Sequence, residues 1–98
     1  MPKVLLQINY EVQPAKREEY LNLIKELKSG YDASGIAKLE IYEVQGSPND
    51  FVEIYTYETE EAFQNADDSA FDETVAKIND CLVPGRPDKL RSYTLHQI

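Results

Sequence analysis

Residues 51–71 of this 98-residue chain, FVEIYTYETEEAFQNADDSAF, carry its clearest signal of secondary structure. Its first seven side chains alternate between two sets, which is the period of a β-strand. One set is Val52, Ile54 and Thr56, and the other is Phe51, Glu53, Tyr55 and Tyr57. Thr59 followed by two glutamates is typical of a helix N-terminus, because a hydroxyl cap and an acidic first turn both stabilise the free N–H groups there. The pattern therefore predicts a strand that turns into a short helix.

The segments around this stretch predict the order strand, helix, strand, strand, helix, strand. The predicted strands cover residues 3–12, 36–45, 51–58 and 88–98. The predicted main helices cover residues 15–29, with Gly30 as the stop, and residues 68–82. The turn signal GSPND at residues 46–50 joins two strands into an antiparallel hairpin. This order predicts an α+β ferredoxin-like sandwich, in which two helices cover one face of a four-stranded antiparallel sheet.

The alternation in each strand also suggests which face of the sheet the helices cover. We assign the more aliphatic sets to the covered face: Val4/Leu6/Ile8, Leu39/Ile41, Val52/Ile54 and Tyr93/Leu95. The other face then holds Leu5, Gln7, Asn9, Glu40, Tyr42, Glu53, Tyr55, Tyr57, Thr94 and His96. This second set is too aromatic for a solvent-exposed face and too polar for a dry core. It predicts a homodimer in which a second copy covers the face and leaves a partly polar cavity.

Composition and charge exclude several classes of protein. A net charge of −8, from 18 acidic and 10 basic residues, argues against nucleic-acid and anionic-membrane surfaces, which need clustered lysine and arginine. The single Cys81 excludes an intramolecular disulfide, and its helical pattern predicts a buried thiol. The sequence shows neither a cationic leader followed by an apolar stretch nor a run of about 18 apolar residues. We expect one domain over residues 1–98 and a cytoplasmic location.

Two titratable residues are candidates for catalysis. His96 is the only histidine; it is either a hydrogen-bonded residue of the last strand or a base in the cavity near Glu53. Glu53 either forms an ion pair with Lys38 across the hairpin or has a raised pKa in a cavity that excludes water. One histidine without HxxE, HxH or CxxC spacing predicts no metal site.

The tyrosines of the second and third strands allow two interpretations. Tyr42, Tyr55 and Tyr57 either fill a subunit interface or stack on a flat aromatic ligand and direct their hydroxyl groups at its oxygen atoms. The sequence has no GxSxG, phosphate-loop or dinucleotide motif, so serine hydrolase, kinase and NAD chemistry have no support.

Several short motifs resemble the antibiotic biosynthesis monooxygenase-like branch of the dimeric α+β barrel superfamily. They are PAK at residues 14–16, Gly35 before the second strand, SPNDFV at residues 47–52 and YETEEAF at residues 57–63. The resemblance implies a homodimer with two sheets packed face to face. It also implies oxygenation of a small phenol or quinol without a cofactor. Asn9 would be the donor to an oxyanion or peroxide, and Glu53 and His96 would supply the base.

Where the chain departs from this superfamily, other activities lose support. The haem-degrading members use an asparagine on strand one, a tryptophan at the end of strand three and a histidine on the later helix. Asn9 resembles the first and Tyr57 stands at the second position, but residues 68–82 contain no histidine. A histidine frequent after the short Ala-Phe helix is also replaced, here by Asn65 and Ala66. The alternative to an enzyme is therefore a non-catalytic homodimer that binds a ligand or serves in assembly.

Overall fold

The computed structural model describes residues 3–84 and 91–98 and shows the predicted order of elements. The elements are β1 (Val4–Glu11), α1 (Arg17–Ser34), β2 (Lys38–Glu43), β3 (Asp50–Tyr57), α2 (Glu60–Gln64), α3 (Asp72–Asn79) and β4 (Arg91–His96). The strands form one antiparallel sheet in the order β2-β3-β1-β4. This arrangement confirms the ferredoxin-like α+β prediction. The predicted start of the last strand at residues 88–90 lies outside the described residues.

Helix α1 is longer than the sequence predicts. Gly30 does not end it; the helix continues to Ser34, and Gly35 adopts the left-handed conformation with a φ of 72°. A residue without a Cβ reaches that conformation at little cost, so Gly35 is the true stop. The extra turn places Tyr31 in the core, where its ring stacks on Phe71 at 4.4 Å between centroids. Burial of this ring explains why the helix passes through Gly30.

The core lies between α1 and one face of the sheet, here called the helix side. Tyr20, Ile24, Leu27 and Tyr31 are the buried residues of α1. The helix side of the sheet consists of Val4, Leu6, Ile8 and Tyr10 on β1, Leu39 and Ile41 on β2, and Phe51, Glu53, Tyr55 and Tyr57 on β3. Aromatic rings meet across this layer; those of Tyr20 and Phe51, for example, lie 4.6 Å apart.

The predicted face assignment is correct for β1 and β2 and wrong for β3 and β4. Glu53, Tyr55 and Tyr57 lie on the helix side, because they pair across β1 with Ile8, Leu6 and Val4. Directly opposite residues of an antiparallel pair share a face. Val52, Ile54 and Thr56 lie on the other side, here called the open face. Burying the large tyrosine rings under α1 removes more apolar area from water than burying two aliphatic side chains would.

In β4 the register likewise reverses the prediction. Thr94 pairs with Leu6 and His96 with Val4, so both belong to the helix side. Tyr93 and Leu95 pair with Gln7 and Leu5 and lie on the open face. The open face therefore contains Leu5, Gln7, Asn9, Lys38, Glu40, Tyr42, Val52, Ile54, Thr56, Tyr93 and Leu95. It is more apolar than the predicted set, because Val52, Ile54 and Leu95 replace Glu53, Thr94 and His96.

The second half of the chain closes one end of the core. Thr59 caps α2 as predicted, with its Oγ1 accepting a hydrogen bond from the Ala62 N–H at 3.0 Å. The predicted helix over residues 68–82 is shorter in the structure, because residues 69–71 form a 3₁₀ turn and α3 ends at Asn79. Beyond it, Cys81 is buried as predicted. Across residues 3–84 and 91–98, no helix combines the length and the hydropathy needed to cross a membrane.

Candidate functional site

The most unusual group in the core is the carboxyl group of Glu53. It is 5% exposed and is the buried charged residue of the described core. The Tyr55 hydroxyl group donates a hydrogen bond of 2.6 Å to its Oε1. The Tyr10 hydroxyl group, which reaches it diagonally across β1 and β3, hydrogen bonds with the same carboxyl group. A buried carboxyl group with two phenol donors is typical of a proton-transfer site or of a specific core contact.

The hydrogen bonds continue from Glu53 into α1. The Tyr10 and Tyr20 hydroxyl oxygens lie 2.7 Å apart, and their rings meet edge to face at 5.7 Å. Tyr10, Tyr20, Glu53 and Tyr55 together are here called the tyrosine–glutamate cluster. It ties β1, β3 and α1 together through polar atoms inside an otherwise apolar layer.

Burial determines which group of this cluster can exchange a proton. Desolvation raises the pKa of Glu53 above its usual value of 4.5, and the hydrogen bonds from Tyr10 and Tyr55 only partly oppose this shift. Desolvation also raises the pKa of Tyr10, Tyr20 and Tyr55, and the nearby Glu53 carboxyl group raises each further. The phenols therefore stay protonated as donors, and the Glu53 carboxyl group holds its proton more tightly than an exposed carboxyl group does.

Tyr57 lies at the end of the same row on β3. It is buried, and its ring meets Phe63 of α2 edge to face at 5.1 Å. Burial raises the pKa of its hydroxyl group, and Asp68 adds to the shift. Asp68 also accepts a hydrogen bond of 3.2 Å from the Tyr31 hydroxyl group. Tyr57 is thus a packed core residue under α2, on the helix side of the sheet.

The structure does not bring His96 to Glu53. His96 lies opposite Val4 and Glu53 lies opposite Ile8, so four residues separate them along the sheet, about 13 Å. The His96 Nδ1 instead lies 3.2 Å from Glu60 Oε2 at the start of α2, with both side chains more than half exposed. The prediction that His96 lines a cavity near Glu53 is wrong, because the register of β4 places it at the far end of the sheet.

Asn9 and Tyr42 are also separated from the cluster, because both lie on the open face. Asn9 accepts a hydrogen bond of 3.1 Å from the Gln7 side chain. Tyr42 is 51% exposed and donates to Glu40 at 3.0 Å. The prediction of an ion pair between Glu53 and Lys38 is wrong for the same reason, since Lys38 pairs with Thr56 on the open face. Successive side chains of a strand point to opposite faces, so the sheet itself separates Asn9, Tyr42 and Lys38 from Glu53.

A row of helix-side residues leads from Glu53 to the edge of the sheet. Glu53, Ile8 and Ser92 are directly opposite one another on β3, β1 and β4. Ile8 is half-buried and Ser92 is exposed. Strand β3, which carries Glu53, lies two strand spacings, about 10 Å, from the edge strand β4. On the other side of Glu53, the edge strand β2 is one strand spacing away, with the half-buried Ile41 directly opposite the glutamate.

Sequence reasoning missed Tyr10 and Tyr20 as members of the site. Tyr10 alternates with the apolar side chains of the first strand, and Tyr20 recurs with the apolar side chains of the first helix, so this pattern marks neither residue as polar. A buried tyrosine hydroxyl group needs a hydrogen-bond partner, and the sequence has two such tyrosines predicted to face the same layer. That requirement is the signal that would have pointed to a polar group such as Glu53 inside the core.

The described residues contain no group of three or more His, Cys, Asp or Glu side chains placed to hold a metal ion. The fold and the buried carboxyl group define a small α+β protein with a candidate acid–base site in its core.

Comparison with known proteins identifies the family. The family model described as antibiotic biosynthesis monooxygenase matches residues 3–76, and the chain belongs to this family. A search of curated proteins gives no match.

Solved structures share the fold at low sequence identity. A conserved protein from Methanosarcina mazei Go1 is 17% identical with a TM-score of 0.83, over 100% of this chain and 95% of that one. Rv0793 from Mycobacterium tuberculosis is 15% identical with a TM-score of 0.77, over 98% and 95% of the two chains. A variant of SnoaB, a cofactor-independent oxygenase from Streptomyces nogalater, is 12% identical with a TM-score of 0.75, over 95% and 90%. At these identities the likeness concerns the fold alone.

Proposed function

We propose that this protein is a monooxygenase-like enzyme that oxygenates a small phenol or quinol without a cofactor, with Glu53 as its base. Membership of the antibiotic biosynthesis monooxygenase family supports this reaction class. The observation that carries the proposal is the buried Glu53 carboxyl group with its phenol donors Tyr10 and Tyr55. A base with a raised pKa accepts a proton more readily than an exposed carboxylate does.

The cluster assigns a role to each of these side chains. The Glu53 carboxylate would take the proton from an activated C–H group of the substrate, and the resulting carbanion would react with oxygen. Conversion of a CH₂ group into C=O with release of water accounts for both oxygen atoms, so no external reductant is needed. Tyr10 and Tyr55 would hold the Glu53 carboxyl group in position through their hydrogen bonds, and the apolar surroundings would strengthen these interactions. Substrate would reach Glu53 along the row of Ile8 and Ser92.

We further propose that the protein is a homodimer joined through the open face. Tyr42, Tyr93 and Leu95 on that face are 51%, 43% and 41% exposed, and Leu5, Val52 and Ile54 lie beside them. An apolar surface of this kind on a small domain is typical of an association site. In this dimer Asn9 and Tyr42 would be interface residues, and their proposed roles in catalysis and substrate binding would fall away.

One observation favours the alternative of a non-catalytic ligand-binding or assembly module. Phenols of the same chain already satisfy the Glu53 carboxyl group, and Asn9 and His96 lie away from it. In that case the cluster would serve only to fix the packing of α1 on the sheet.

Oxygen uptake distinguishes the two functions. The wild type, Glu53→Gln and Glu58→Gln would be assayed with a panel of quinols and anthrone-type phenols between pH 6 and 9. Glu58 is an exposed glutamate one residue beyond β3, so its variant is a matched control. We expect turnover by the wild type and Glu58→Gln, and a loss of roughly 10²-fold or more in Glu53→Gln. Uptake no faster than in buffer, or equal rates for the two variants, would refute the proposed role of Glu53.

A further inference from the structure

A groove between α1 and the edge strand β2 is separate from the tyrosine–glutamate cluster. Its volume is about 340 Å³, at the small end of the range for sites of small organic ligands. Residues of the cluster do not line it. Its walls come from one stripe of α1, where Arg17, Leu21, Ile24 and Lys28 recur at spacings of three and four, and from β2 and β3.

The floor of this groove is apolar. Ile24 and Phe51 are each 3% exposed and form its base, while Leu21 and Ile41 are half-buried and form its sides. The groove is thus an opening into the edge of the core, where hydrocarbon surface remains accessible. A ligand with an apolar body would remove this surface from water.

The rim of the groove is cationic, in a chain whose net charge is −8. Arg17, Lys25 and Lys28 line it, together with one carboxylate, that of Glu43. The Arg17 guanidinium group already donates two hydrogen bonds, of 2.6 and 3.0 Å, to the Glu43 carboxylate. Lys28 pairs with Asp32 at 3.5 Å, but both side chains are largely exposed, so the pair is weak and can exchange partners. Within the described part of the chain, Lys25 forms no ion pair.

We propose that this groove binds a small amphipathic carboxylate, such as a medium-chain fatty acid. Its carboxylate would lie between the ammonium groups of Lys25 and Lys28, which are three residues apart on one helix face. Its chain would lie along Leu21 and Ile41 towards Phe51. The stripe from Arg17 to Lys28 is about 16 Å long, which accommodates an extended chain of this kind.

Calorimetric titration with octanoate and with the neutral octanamide tests this assignment. The proteins would be the full-length wild type, Lys25→Glu and Lys77→Glu. Lys77 is exposed on α3 and pairs with Glu73, so its variant makes the same change of charge outside the groove. We expect octanoate to bind the wild type at least tenfold more tightly than octanamide does. We also expect Kd for octanoate to rise at least tenfold in Lys25→Glu and to stay within twofold in Lys77→Glu.

A second variant tests the apolar floor. Leu21→Trp narrows the groove at a half-buried position, and it should weaken both ligands, with circular dichroism confirming that the fold is retained. In the wild type, octanoate should shift the backbone amide NMR signals of residues 21–28 and 41. Octanoate binding should be the same in Glu53→Gln, which separates this proposal from the proposed function.

Several results would overturn the proposal. These are no heat of binding at millimolar octanoate, equal affinity for octanamide, or the same loss of affinity in both charge variants. A lower sedimenting mass for Lys25→Glu than for the wild type would also overturn it, because a second copy of the chain would then occupy the groove.

Discussion

Replacement of Glu53 by glutamine should stabilise the protein at neutral pH, and the gain should depend on pH in a defined way. Glutamine keeps the shape of the side chain and a carbonyl oxygen that accepts the hydrogen bonds of Tyr10 and Tyr55. It removes the group that would have to ionise inside the core. The usual pKa of 4.5 applies to the unfolded chain, whereas burial raises the pKa in the folded protein.

The sign and size of the effect follow from the difference in bound protons. Below pH 4.5 the carboxyl group is protonated in both states, so the wild type and Glu53→Gln should have similar free energies of unfolding. Above pH 4.5 the unfolded wild type releases its proton and the folded protein retains it. Unfolding of the wild type therefore becomes easier by about 1.4 kcal/mol per pH unit relative to the variant. The difference between the two free energies of unfolding stops growing at the pH where Glu53 ionises in the folded state.

Urea denaturation followed by circular dichroism measures this difference. Both proteins would be unfolded at half-unit steps from pH 4 to 8, at one fixed protein concentration, because a dimer links stability to concentration. Contributions of other groups, including Glu43, cancel in the difference between the two proteins. Two results would show that Glu53 does not have a raised pKa. One is a difference in the free energy of unfolding that stays constant from pH 4 to 8, and the other is a variant that loses stability relative to the wild type as pH rises.

Three further predictions concern packing, an ion pair and the open face. Gly30→Ala should destabilise the fold by about 1–3 kcal/mol in urea, although alanine is the better helix former. Its Cβ would lie 2.5 Å from the Phe71 ring; equal or greater stability would contradict this contact. Arg17 lowers the pKa of Glu43 to about 2, so the stabilising effect of this pair should be complete above pH 4.5 and lost as pH falls towards 2. Urea midpoints of the wild type and Glu43→Gln should accordingly converge at low pH, and a gap that widens there would contradict the pairing. Tyr93→Glu should convert a dimer into monomers by light scattering, while an unchanged mass would show that the open face is not the interface.

Much of the fold follows from local sequence patterns. The hairpin is predicted from residues 46–50, because a dense turn signal between two alternating stretches leaves the chain few other paths. Thr59 as the N-cap of α2 follows from its hydroxyl group and the glutamates after it. The end of α1 is predicted too early in the chain, because Gly30 is a local stop signal and the burial of Tyr31 beyond it is a tertiary effect.

The site is less predictable than the fold. Alternation in β3 separates Glu53, Tyr55 and Tyr57 from Val52, Ile54 and Thr56, and the sequence alone determines this division. It does not determine which set faces the helices, because a one-residue change of register exchanges the two faces. The tertiary structure decided this point by providing Tyr10 and Tyr20 as hydrogen-bonding neighbours, which let a carboxyl group enter the aromatic core.

The order of the elements, the resemblance to the family and the two alternating sets of each strand can be predicted from local sequence, because they depend on residues close together in the chain. The burial of Glu53 and its separation from His96 and Asn9 follow from the three-dimensional packing. That outcome depends on strand register and on the competition between side chains for one covered layer, and both are set by residues far apart in sequence.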